Sequence, residues 1–313
     1  MTVTDWSATE AGQIAALYAD ETERWRTAFD WDTAAQWREV EQARTHWNLP
    51  GLVARDSGGR VSGWLYYLTA PGGAQLGGVS ADDAGTAGAL VRHFATRVAG
   101  DRITGFMPAL APGLDGALDE AGFDVTPHLY LTRSLGGSAA SDAGSAPGTR
   151  DVDAATMRAW REGDEPLAAG VLQDAYDPAE AALFAADGTP EAWLAYVTGL
   201  VEQIGCGQFL PGASLIAECG GEAVGAAILT RLSERMVHLA QIGVSRDRQG
   251  SGDGARLLTA AMSLARGRGA EAISLLVSSR NAGALRFYGR HGFTVRSRFL
   301  EIAGGRRAPA VRR

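Results

Sequence analysis

Residues 249 to 255 read Gln249-Gly250-Ser251-Gly252-Asp253-Gly254-Ala255. Glycines on alternate positions let a backbone turn tightly and bring its N–H groups against a ligand. Behind them Leu257, Leu258, Ala261, Met262 and Ala265 recur at helical spacing. A helix that begins here adds unpaired amides and the positive end of its dipole. The chemistry on offer is anion binding, with pyrophosphate the natural guest and a plain flexible turn the alternative. A Walker-type loop would need Gly-Lys-Ser/Thr, and the chain contains no lysine. Gly250-x-Gly252-x-x-Ala255 also fits a loose dinucleotide fingerprint. In that motif, however, the glycines come directly off a strand, whereas Ser245-Arg246-Asp247-Arg248 intervene here.

Val237, Leu239, Ile242 and Val244 precede the loop and predict a strand. His238 interrupts that strand where an apolar residue is expected. An imidazole with a reference pKa near 6.5 can accept a proton at neutral pH. A half-buried histidine bonded to backbone would explain it equally well. Asn281 stands where a following helix should start and reads as its N-cap.

Loop and strand together resemble motif A of the Gcn5-related N-acetyltransferases, Gln/Arg-x-x-Gly-x-Gly/Ala after a strand ending in valine or isoleucine. Asn281-Ala282-Gly283-Ala284-Leu285-Arg286-Phe287-Tyr288, followed by His291-Gly292-Phe293, is similar to the family's motif B. The resemblance covers about residues 213–302. It implies an α/β fold whose mixed, mostly antiparallel sheet is flanked by helices and has a splayed central strand. The implied cofactor is acetyl-CoA, with its pyrophosphate on Gln249, Gly250, Ser251, Gly252, Asp253, Gly254 and Ala255. Ile242, Gly243 and Val244 would hold the pantetheine arm and the thioester carbonyl, and Asn281 would add a cofactor contact. Histone-acetylating relatives carry a glutamate at the place of His238 and aralkylamine-acetylating ones a histidine, which points to a general base. Glu218 and Glu234 stand in reserve for that role. Tyr288 takes the place of the family's acid, because a phenol near pKa 10 is suited to protonating a thiolate. Asp174 and Asp177 would lie on the acceptor loop and could recognise a cation. The activity implied is acetyl transfer to the primary amine of a small molecule by direct attack on the thioester. The alternative is a non-catalytic acyl-CoA sensor.

A chain of 313 residues suits two domains, and 46% hydrophobic with 21% charged residues is an ordinary globular composition. A net charge of −7 argues against non-specific nucleic-acid binding. No apolar run approaches the ~20 residues that span a bilayer. The first residues lack the basic and apolar regions of a signal peptide. Cys206 and Cys219 have no metal-ligand spacing, so no metal is expected. These readings favour a cytoplasmic monomer or homodimer.

Taken in order, residues 5–48 predict helices with Ile14, Leu17, Trp25, Phe29, Trp37, Val40 and Trp47 facing inward. A hairpin, a strand, a helix, a strand, a helix, a Gly-Phe pair and a strand follow. The same order recurs in the second half, so the chain predicts a tandem repeat of one fold. The first copy lacks the glycine loop: Val79 to Gly88 holds Asp82 and Asp83 where phosphates would sit. Expected boundaries are a degenerate domain at 1–135, a small-residue linker at 136–150, the cofactor-binding domain at 151–305 and a basic tail at 306–313. Within the second copy a helix is expected at 154–162 and a loop at 172–178.

Overall fold

In the computed structural model of the chain the described residues are 1–70, 72–98, 102–136, 155–185, 187–203 and 206–304. The strands are β1 (Thr2–Asp5), β2 (Gly51–Arg55), β3 (Val61–Ala70), β4 (Gly73–Ala81), β5 (Arg102–Pro108), β6 (Val125–Ser134), β7 (Thr156–Ala159), β8 (Gln208–Phe209), β9 (Leu215–Cys219), β10 (Glu222–Arg231), β11 (Met236–Val244), β12 (Ala272–Ser278) and β13 (Thr294–Gly304). The helices are α1 (Ala11–Phe29), α2 (Ala34–His46), α3 (Ala84–Arg97), α4 (Leu114–Glu120), α5 (Glu165–Ala175), α6 (Pro178–Ala181), α7 (Pro190–Glu202), α8 (Asp253–Gly267) and α9 (Ala282–Arg290). Among the described residues no helix is long and apolar enough to cross a membrane.

Two compact units result. One joins residues 1–131 with those from Val277 onward, and the other is Thr132–Leu276. This cut differs from the expected boundaries, because the last strand belongs to the first unit's sheet, ordered β1-β2-β3-β4-β5-β13-β6. β13 runs antiparallel to β5 from Phe299↔Pro108 to Gly304↔Ile103. Phe299 packs against Trp25, Phe29 and Phe106, and Glu301 meets His128 at 2.7 Å. These contacts supply apolar burial and a partly buried hydrogen bond that secure the strand there. The expected linker and tail lie outside the described residues.

In the second unit the order is β12-β11-β10-β9-β7, with β8 on β10. Its core collects Ala168, Leu172, Trp193 and Val197 from α5 and α7 against Ile216, Ala226 and Ile228 of the sheet. The expected helix at 154–162 is instead the strand β7, antiparallel to β9. Its Arg158 forks onto Asp164 at 2.6 and 2.9 Å and also reaches Glu218 at 2.6 Å, ties that sequence spacing does not reveal. The expected loop at 172–178 narrows to Tyr176 and Asp177, because α5 continues to Ala175 and α6 opens at Pro178. Trp47 is a further correction: it follows the end of α2 and is 77% exposed.

Each unit has the same irregular central strand. The parallel β11–β12 ladder runs from Met236↔Ala272 to Leu239↔Leu275 and stops. Immediately beyond, the β10 register slips between Leu229↔Leu239 and Ile228↔Gln241, leaving Ala240 as a bulge. In the first unit the β4–β5 ladder likewise stops at Leu76↔Gly105, and Gly77 is the bulge. A side chain on Gly77 would come within 2.2 Å of the Tyr66 ring, which lies across it.

Candidate active site

The glycine loop leaves β11 through a single 3-10 turn at Arg246–Arg248 and enters α8. Gly250 (φ +84°) and Gly252 (φ +91°) are left-handed, a conformation costly to any residue with a Cβ. A Cβ on either would meet nothing within 4 Å, so backbone conformation rather than crowding demands glycine there. Gly252 caps α8 without offering a side chain to its amides. Among the described residues no protein acceptor takes the N–H groups of Gly252, Gly254 or Ala255. The Asp253 N–H reaches Ser251 Oγ at 3.3 Å. The Asp253 carboxylate, 1% exposed, receives Arg248 at 2.8 Å, Ser251 Oγ at 2.9 Å and Arg256. Burial pushes this carboxyl up, but the Arg256 and Arg248 guanidiniums and the Ser251 hydroxyl outweigh it and hold it low. Two cations against one carboxylate leave the loop net positive beside free amides, the electrostatics an anion requires.

The end of β11 is open on one side. Ser245 donates its N–H to Val224 O at 2.9 Å, which fixes which residues face β10. By alternation Gly243 and Gln241 also bond toward β10, so the N–H groups of Ile242 and Val244 point to the side where the β12 ladder has ended. Gly243 therefore spends its backbone in the sheet. Its missing side chain serves packing, since a Cβ would lie 2.9 Å from Leu172 and 3.1 Å from Ala175 of α5.

On the α5–α7 face of β11 stand Ala240, which packs with those helices, and Gln241. Strand alternation across the bulge puts His238 on that face too. His238 is buried, and its Nδ1 lies 3.0 Å from Ser274 Oγ. Burial pushes its pKa down to about 4, below the ordinary imidazole value. Gln241, 3% exposed, accepts Tyr176 Oη–H at 2.6 Å and donates to Tyr196 Oη at 2.7 Å. These tyrosines had no role in the sequence reading, although a glutamine in an apolar strand is as visible a signal as His238.

Asp174 is exposed, and its carboxylate accepts the Arg246 N–H at 2.7 Å. The Arg246 guanidinium returns to the carbonyls of Asp174 and Tyr176, each at 3.3 Å. Gln249 Nε2 donates to Ala175 O at 3.2 Å and to Val244 O at 3.4 Å. Arg246 and Gln249 thus cap the C-terminal carbonyls of α5. Asp177 is exposed ahead of α6, Glu218 is paired with Arg158, and Glu234 is exposed. Among the described residues no group of histidine, cysteine and carboxylate side chains could hold a metal, and neither Cys206 nor Cys219 is in a disulfide.

Asn281 and Tyr288 belong to the first unit. Asn281 caps α9 by accepting the Ala284 N–H at 2.8 Å. Tyr288 is buried edge-on against Phe287 and Phe293, and burial raises its phenol well above the ordinary value. The first unit's counterpart of the loop is short. Asp82 donates its N–H to Ser62 O at 3.0 Å, as Ser245 does to Val224, and α3 begins at Ala84. Asp83 caps that helix, taking the Thr86 N–H at 2.9 Å and Thr86 Oγ1 at 2.9 Å. A carboxylate occupies the helix end that the second unit leaves open.

Residues 158–293 match the model of the Acetyltransferase (GNAT) family. A curated relative, mycothiol acetyltransferase of Streptomyces bingchenggensis (strain BCW-1), is 31% identical over 155 residues. That match spans 47% of this chain and 47% of the relative, so the chain matches about half the relative's length. A solved GCN5-related N-acetyltransferase from Sphaerobacter thermophilus superposes with a TM-score of 0.67 at 17% identity, over 98% of this chain and 96% of that one. A tandem GNAT protein from the clavulanic acid biosynthesis pathway superposes with a TM-score of 0.54 at 17% identity, over 83% and 84% of the two chains. The fold of the chain is therefore shared with these structures, and its residues 158–293 are similar to the Acetyltransferase (GNAT) family.

Proposed function

We propose that the chain is an acetyl-CoA-dependent N-acetyltransferase with one cofactor site, in the second unit, acting on the primary amine of a small molecule. The observation that carries this is the pairing of free α8 amides with the open Ile242 and Val244 amides at one end of β11. Gly252, Gly254 and Ala255 would hold the pyrophosphate, with Arg248 and Arg256 adding charge. Ile242 and Val244 would hold the pantetheine arm and the thioester carbonyl. When bound, acetyl-CoA supplies an activated acetyl group. His238 remains the base candidate. At neutral pH its imidazole is unprotonated and able to accept a proton, but burial weakens it as a base. For Tyr288 and Asn281, which belong to the first unit, the acid role and the cofactor contact rest on the family resemblance alone.

The first unit repeats the bulged strand but closes its helix end with Asp83, which supports reading it as a degenerate copy. From composition we also place the protein in the cytoplasm, as a monomer or homodimer without nucleic-acid or membrane partners. Burial of His238 and Tyr288 favours a second reading, a non-catalytic acyl-CoA sensor. Calorimetry with CoA, followed by thiol release from acetyl-CoA over a panel of amines, separates the two. Saturable CoA binding with amine-dependent release supports the enzyme, and binding without release from any amine supports the sensor. No CoA binding refutes both.

A further inference from the structure

We infer that the Tyr176–Gln241–Tyr196 chain is the acceptor-recognition element of the second unit, and that it takes a neutral, hydroxylated part of the acceptor. This rests on the acetyltransferase reading and specifies its substrate class.

The first observation concerns what is absent from the recognition of charge. Of the two carboxylates named for cation recognition, Asp174 is committed to the Arg246 N–H at 2.7 Å, and Asp177 stands exposed ahead of α6. The second is the chemistry of the face that carries His238. Tyr176, Phe184 and Tyr196 are all half-buried, with ring centroids 5.3 Å apart for Tyr176–Phe184 and 5.2 Å for Phe184–Tyr196. Trp193 lies buried beneath them, 5.5 Å from Tyr176 and 6.0 Å from Tyr196. Partly exposed aromatic faces bury the C–H surface of a ring well.

The third observation is the hydrogen-bond inventory. Gln241 uses Oε1 for Tyr176 and one N–H for Tyr196. Among the described residues the Tyr196 hydroxyl, an acceptor here, still has its own proton to donate, and the buried Gln241 carboxamide fixes both phenols in place. The element thus offers donors and acceptors side by side, none with formal charge. Hydroxyl groups, which both donate and accept, satisfy such a row, whereas an ammonium satisfies only its acceptors. Gln241 directly precedes Ile242, whose open amide lies where the acyl group is to be held, so recognition falls beside the chemistry.

The test uses the CoA-loaded full chain and two amines, glucosamine and spermidine. Calorimetry measures binding of each, and thiol release from acetyl-CoA measures transfer. Glucosamine is expected to bind at least about tenfold more tightly than spermidine. Gln241→Leu and Tyr196→Phe should each weaken glucosamine binding by about five- to tenfold, one hydrogen bond's worth, with CoA affinity unchanged. Gln241→Asn, too short to span both phenols, should behave like the leucine variant, whereas a role in packing alone would spare it. Tighter spermidine binding, no binding of either amine, or glucosamine affinity indifferent to all three variants overturns the inference. Gln241-dependent glucosamine binding without thiol release supports the recognition element and counts against the acetyltransferase reading alone.

Discussion

Gly252 is where backbone strain and charge can be separated by two substitutions. The residue sits at φ +91°, and a Cβ there meets no atom within 4 Å. Gly252→Ala therefore costs only the left-handed conformation, about 1–2 kcal/mol of stability. Gly252→Asp adds the same strain plus a carboxylate beside the free amides of Gly254 and Ala255. Facing a bound phosphate at about 4 Å, one such charge costs about 1–4 kcal/mol between bulk-water and near-surface screening. That corresponds to a loss of about five- to a thousandfold in CoA affinity. Calorimetric titration with CoA, run beside thermal melts, reads both quantities. The wild type should bind with a stoichiometry near one, the alanine variant should bind nearly as well, and the aspartate variant should lose most affinity at a similar melting temperature. Full CoA binding by Gly252→Asp, or equal losses in both variants, would refute the cradle. A wild-type stoichiometry of two would refute the one-site argument.

His238 should show no inflection in the acceptor-dependent rate between pH 6 and 8, because burial has already pushed its pKa to about 4. If it is the base, His238→Ala lowers kcat by roughly 10²–10⁴-fold, and a near-wild-type kcat removes it. The same depression makes stability fall as pH drops from about 6.5 toward 4, where the unfolded chain binds the proton and the folded one does not. Urea melts of His238→Asn should lose much of that slope. Asp174→Asn should be nearly neutral for CoA affinity because its amide oxygen can still accept the Arg246 N–H, whereas Asp174→Ala should weaken it. Equal effects in calorimetry would show that the charge, not the hydrogen bond, matters. Tyr288→Phe should lower kcat with CoA affinity intact if the phenol is the acid, and an unchanged kcat ends that assignment.

Much of the candidate site was legible in the sequence because its requirements are local. Left-handed turns need glycine, a helix start needs a cap, and a strand announces itself by apolar β-branched residues, so Gly250, Gly252, Asn281 and β11 could be recognised from residue types alone. Identities also sufficed to see that Asp82 and Asp83 stand where the second copy has glycines. Everything that depends on partners distant in the chain was decided by tertiary structure. The placement of β13 rests on the packing of Phe299 against Trp25 and Phe29, partners far away in the sequence. Asp174 looked like a free loop charge until Arg246, far along the chain, closed on it. The imidazole of His238 carries its ordinary pKa as a residue type, and only burial beside Ser274 removes the solvation that keeps its charged form favourable. Composition and spacing specify what a side chain can do. The dielectric and the partners that determine what it does exist only once the chain has folded.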